Sequence, residues 1–93
     1  MVALLADIPG KEKTLGNVQE CRARKAPVIG VATSDDEVAA SAVDDFIRVP
    51  RTSVALSPIV SVVALQLFAY HVARLRGCEI DQPRNLAKSV TVE

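Results

Sequence analysis

The chain has 93 residues, with eleven basic and eleven acidic side chains, nearly half its positions apolar and 3% aromatic. That length makes one small domain or a piece of a larger one, and so short a chain buries little more than half of its surface on folding. Balanced charge and scarce aromatic rings exclude an oligonucleotide binder, which needs a basic face and stacking platforms, and leave no field toward an anionic membrane surface.

Val2 to Ala6 is a continuous apolar run closed by Asp7, Pro9 and Gly10, and reads as a buried strand. A core strand so near the first residue leads us to expect a chain cut rather than begun. Met1 to Ala6 has no basic flank and meets Asp7 too soon for a signal peptide. From Lys11 to Lys25, Leu15, Val18, Cys21 and Arg22 fall at helical spacing in a polar stretch, which predicts an amphipathic surface helix. Its Lys11/Lys13 and Arg22/Arg24/Lys25 clusters are expected on a solvated face, with the latter complementing the helix dipole before Ala26-Pro27 breaks the helix.

Val28 to Ala32 is a second strand, apolar on both faces as central parallel strands are, and Gly30 inside it points to close approach by a neighbour. Ser34 and Glu37 have the spacing of a capping box, ahead of a short helix over Val38 to Val43. Asp45 to Val49 is a third strand ended by Pro50. Strands alternating with helices of this length predict crossover connections and an α/β fold of about three parallel strands with flanking helices. Such a sheet has two long open edges, so it should be part of something wider.

Ser57 to Gly77 is the best-specified element. Ser57 suits a cap, Pro58 the first helical position and Gly77 a left-handed stop. Almost every residue between is apolar, apart from a Gln66, Tyr70, Arg74 stripe, so burial on more than one face is expected, by the sheet and by another subunit. Interrupted by Gln66 and His71, the apolar run Ile59 to Ala73 falls short of the roughly 20 residues that span a bilayer, and the protein is expected to be soluble and cytoplasmic. Cys21 and Cys78 have no metal-ligand spacing and read as buried or half-buried thiols; no metal and no cofactor is implied.

In an open parallel sheet, ligands lie at the carboxyl ends of the strands. Asp7 to Gly10, Thr33 to Asp35 and Pro50 to Ser53 fall there, but the two acids after Ser34 would repel a phosphate, and neither GxGxxG nor GxxxxGK[ST] occurs. One histidine, His71, on a helix reads as structure rather than catalyst. The end of the chain, Asp81 to Glu93, carries one lysine, Lys88, among small residues, with Pro83, Arg84, Asn85, Leu86, Val90 and Val92 as anchors. A lysine amine whose pKa is lowered forms Schiff bases with sugar or keto carbonyls, and on a tail it can close over a ligand.

Leu65 to Ala73 and then Arg76 to Glu93, with Glu12 to Glu20 and the strand from Pro27, resemble the carboxyl-terminal part of the glutamine–fructose-6-phosphate aminotransferase (isomerizing) family, and the tail from Asp81 matches that family's ending without a departure. The resemblance implies residues 1–80 as the carboxyl-terminal part of a sugar isomerase (SIS) domain of αβα type, and 81–93 as an active-site tail. It implies fructose 6-phosphate as the sugar substrate and Lys88 as the sugar-site lysine, assigned to ring opening or Schiff-base chemistry, with Ala87 lining the pocket. The family's glutaminase cysteine, phosphate loops, catalytic glutamate and ring-opening histidine have no counterpart here, so the chain alone is expected to be inactive. A non-catalytic module that self-associates, or that pairs with a full-length enzyme or other SIS segments, is the alternative.

Overall fold

A computed structural model describes residues 1–82. It is an α/β fold whose elements run β1 (Val2–Leu4), α1 (Lys11–Ala23), β2 (Ile29–Thr33), α2 (Glu37–Ala42), β3 (Asp45–Val49) and α3 (Ser57–Leu75). The three strands are parallel in the order β1-β2-β3, as the alternation of strands and helices predicts. In register, Ala3 pairs with Gly30 and Gly30 with Phe46, while Leu4 pairs with Val31 and Val31 with Ile47. Because side chains alternate along a strand, the two rows face opposite sides of the sheet.

The side bearing Ala3, Leu5, Ala32 and Phe46 packs against α1 and α2. Their core is Ala3, Leu5, Val18, Val28, Ala32, Ala39 and Val43, with Leu15, Cys21 and Phe46 packed at its margin. The amphipathic reading of α1 thus holds at Leu15, Val18 and Cys21. Gly30 marks the tightest point: a Cβ there would lie 2.8 Å from Val43 Cγ1, so α2 can sit this close only over a glycine. The other side carries α3, which covers β2 and β3 and leaves Val31 fully buried. Helices on both faces of a parallel sheet give three layers, the arrangement expected of part of an αβα domain.

Helix ends differ from expectation in instructive ways. Asp36, not Ser34, caps α2, its Oδ1 accepting the Ala39 N–H at 2.9 Å. Ser34 is unavailable because its own N–H continues the sheet ladder to the Val49 carbonyl. The helix accordingly begins at Glu37, one residue early. Ser57 is inside α3 rather than its cap: a turn over residues 54–56 already has helical geometry, Leu56 takes the cap position, and the Ser57 N–H is used by the Ser53 carbonyl. Gly77 stops α3 as predicted, with φ 68°, its N–H bonded to the Arg74 carbonyl and the Cys78 N–H to the Ala73 carbonyl. Before Ala26-Pro27 is reached, α1 ends by the same double bond, with Lys25 at φ 63° in the glycine position.

Two burial expectations are corrected. β1 is half-exposed: Ala3 is buried, but Val2 and Leu4 on the opposite face are 39% and 43% exposed because α3 does not reach them. Within the single chain α3 is covered on its sheet side. Within it only Ser61 is fully buried, while Ile59, Val63 and Leu67 are exposed by half or more and Leu75 is 88% exposed. At 19 residues, α3 exceeds the apolar run at its centre and is long and apolar enough to cross a membrane by length and composition. Cys78 is exposed rather than buried, and Cys21 is half-buried.

Candidate functional site

The carboxyl edge of the sheet collects the loops after all three strands, and what it holds is a charge network. Arg51, two residues beyond β3, donates to both oxygens of Asp35 at 2.9 and 3.3 Å and to Asp7 at 3.1 Å. Lys11, at the start of α1, pairs with Asp7 at 3.3 Å and with Asp36, the α2 cap. Arg51 and Asp7 thus tie the loops following β1, β2 and β3 to each other, and Lys11 locks the first turns of α1 and α2 together.

Lys11 was expected on a solvated face; instead its side chain is 18% exposed and sandwiched between two carboxylates. No local pattern announces the Arg51 pairs, whose partners lie 16 and 44 positions away, whereas Lys11 and Asp7 are four positions apart. A basic residue beside a strand's carboxyl end, facing acids in the preceding strand loops, is the signal that was available.

The electrostatics follow from these contacts. The Arg51 guanidinium, and then Lys11, hold Asp7 below its ordinary value, and Arg51 does the same for Asp35. Burial acts to raise Asp36, but hydrogen bonds from Lys11 and the Ala39 N–H outweigh it and leave it lowered. Burial likewise opposes charge on Lys11, and Asp36 and Asp7 together reverse this, raising it. Three carboxylates face two cations, and both cations are engaged. The network therefore offers no unspent positive charge to a phosphate, in agreement with the objection raised by the paired acids after Ser34.

Beneath the network Ala6, Asp7, Thr33, Val49, Pro50, Thr52, Ser57 and Val60 enclose a cavity of about 10 Å³. That is room for a water at most. The large space is elsewhere: an open groove of about 570 Å³ between β3 and α3, walled by apolar side chains from Ile47, Val49, Val63 and Leu67, with His71 on its rim of the helix. Neither is a sugar-phosphate site, which needs convergent polar groups in a pocket of some hundreds of Å³.

Lys88 and Ala87 lie outside the described residues, as does most of the 81–93 tail. Among the described residues no group of three or more His, Cys, Asp or Glu side chains could hold a metal.

No family model matches the chain. Individual proteins do. The chain is 57% identical over 88 residues, 92% of its length, to a glutamine–fructose-6-phosphate aminotransferase (isomerizing) of Gloeobacter violaceus. It is 55% identical over all 93 residues to the protein of that name in Thermus thermophilus, and 48% over all 93 to the one in Symbiobacterium thermophilum. The chain spans only 14–15% of the length of these relatives, and the match is to their carboxyl-terminal part.

Proposed function

We propose, from the premise that this chain is similar throughout to the carboxyl-terminal part of isomerizing glutamine–fructose-6-phosphate aminotransferases, that it supplies the sugar-site tail of such an enzyme. The observation that carries this reading is the 55% identity extending over all 93 residues, tail included. Residues 1–80 are then the closing part of a SIS domain and 81–93 the tail that covers the sugar. Lys88 acts on open-chain fructose 6-phosphate: its free amine adds to the C2 carbonyl, water leaves, and an imine holds the substrate until ammonia from glutamine is delivered. Ala87 lines the pocket beside it. The working location is the cytoplasm, where sugar phosphates are found.

The charge network supports the inactivity of the isolated chain, because Lys11 and Arg51, the two cations it holds at the carboxyl edge, are already paired with carboxylates. The test is reconstitution. The 93-residue chain by itself should form no glucosamine 6-phosphate from fructose 6-phosphate and glutamine. Coexpressed with the Gloeobacter relative lacking its matching segment, it should restore turnover, and Lys88→Ala should lower that turnover by about a hundredfold or more, the loss expected when a nucleophile or its positioning is removed. A reconstituted enzyme indifferent to Lys88→Ala would overturn the assignment.

One observation favours a second reading, a self-associating module. Ile59, Val63 and Leu67 recur at i, i+4 spacing on α3, are half exposed or more, and form one ridge along the helix. On this reading two copies pair through α3, and Leu67→Lys should convert the pair to a monomer on size exclusion with light scattering. A monomeric unmodified chain would sink it.

A further inference from the structure

Residues 50–53 carry the chain from β3 into the turn that opens α3, and they belong to neither the sheet nor the helix. Among the described residues, no backbone N–H of Arg51, Thr52 or Ser53 donates a hydrogen bond, and Pro50 has none to give. Only the Ser53 carbonyl accepts, from Leu56 and Ser57 in the turn that follows. A strap without ladder or helix bonds is held by its side chains.

Burial adds little to that hold. Val54, Leu56 and Ile59 are exposed by half or more, and the first fully buried residue of α3 is Ser61. Thr52, Ser57 and Val60 are partly covered where they line the small cavity with Thr33. The fastening is the Arg51 side chain, which donates to Asp35 after β2 and to Asp7 after β1. All three side chains are more than half exposed, and an ion pair in that setting is weak and screened by salt. The neighbouring Lys11–Asp36 pair is largely covered and keeps α1 against α2 on different terms.

We infer that Arg51 is the latch of a salt-sensitive strap. With the guanidinium clasped by Asp35 and Asp7, residues 50–53 and the first turn of α3 lie closed on the sheet. When ions screen the clasp, this segment opens locally while the three strands, α1 and α2 stay folded. Local openings of this kind involve segments with few buried contacts and exposed hydrogen bonds, which is how the strap is built. Opening admits water to Thr33, which is 6% exposed in the closed form. It also loosens the end of the β3–α3 groove that Pro50, Ile59 and Val60 wall, so the charge at the carboxyl edge sets the shape of an apolar surface on the far side of the strap.

The experiment is amide hydrogen exchange by NMR on the 93-residue chain, at constant pH, in low salt and in high salt. The reporters are the Ser57 and Val60 N–H groups, which bond back to the carbonyls of Ser53 and Leu56, with Leu67 at the centre of α3 as the reference. Between about 0.05 and 1 M sodium chloride, exchange at Ser57 and Val60 should rise about fivefold relative to Leu67, the size expected when an exposed ion-pair cluster is screened. Arg51→Met should show the fast exchange already in low salt and lose the salt response. If that variant does not fold, Asp35→Asn removes the two-pronged half of the clasp from an exposed loop position, and the same signs are expected. The inference is overturned by exchange at Ser57 and Val60 that ignores salt in the unmodified chain. It is equally overturned by acceleration that Leu67 shares in full, which would be global unfolding, or by a salt response that persists in the folded Arg51→Met chain.

Discussion

Gly30 and Lys25 show how single backbone positions set this fold. At Gly30 the nearest obstacle to a side chain is Val43, a stiff β-branched residue in the core, 7% exposed, so it cannot swing aside. Gly30→Ala should destabilise the chain by about 1–3 kcal/mol through overpacking, read from urea denaturation, and Val43→Ala in the same chain should recover part of the loss. The glycine inside an apolar strand was legible in the sequence as a close approach; that α2, through Val43, makes it was not. Lys25 is the converse case. It occupies a left-handed position at φ 63° that glycine fills at the end of α3. Lys25→Gly should therefore stabilise by about 0.5–1 kcal/mol, the relief of the left-handed penalty less the added chain entropy, and a fall in Tm would contradict this.

At the scale of elements, the carboxyl-edge network governs how the loops respond to pH. Asp7, Asp35 and Asp36 all lie below their ordinary value of 3.8 in the folded chain. Groups depressed in this way contribute stability that is present above 3.8 and lost as pH falls through their folded values, so acid unfolding should steepen below about pH 4. Arg51→Met removes the partner of Asp7 and Asp35 and should flatten that dependence in unfolding curves taken between pH 5 and 2. Lys11 is raised above 10.5 and has the opposite sign: its contribution is complete below that value and vanishes as pH climbs through the folded one. Lys11→Met leaves the part-buried Asp36 without its cation and should cost about 1–2 kcal/mol at neutral pH, more than a surface pair would. The elements themselves were readable: β3 and the Gly77 stop fall where pattern and turn chemistry placed them. The caps were less so, because Ser34 and Ser57 have the right chemistry, and only the sheet ladder and the preceding turn disqualify them.

For the whole molecule the decisive fact is how much apolar surface remains uncovered, on α3, on the β3–α3 groove and on β1. A domain of this size has little stability to spare, and that surface belongs against something. It follows that fructose 6-phosphate should leave the Tm of the isolated chain unchanged, since stabilisation by a ligand requires a formed site in the native state. A saturable rise would mean that the site is complete within 93 residues. The order of strands and helices, the parallel sheet, the interior character of β2 and the likeness to the carboxyl-terminal part of the aminotransferase relatives were all determined by the sequence. They rest on period, turn residues and motif, which are local. Which acid caps which helix, that Lys11 and Arg51 spend their charge on three carboxylates, and that β1 and α3 present bare apolar faces were decided by the tertiary structure alone. These depend on which of the described segments meet in space.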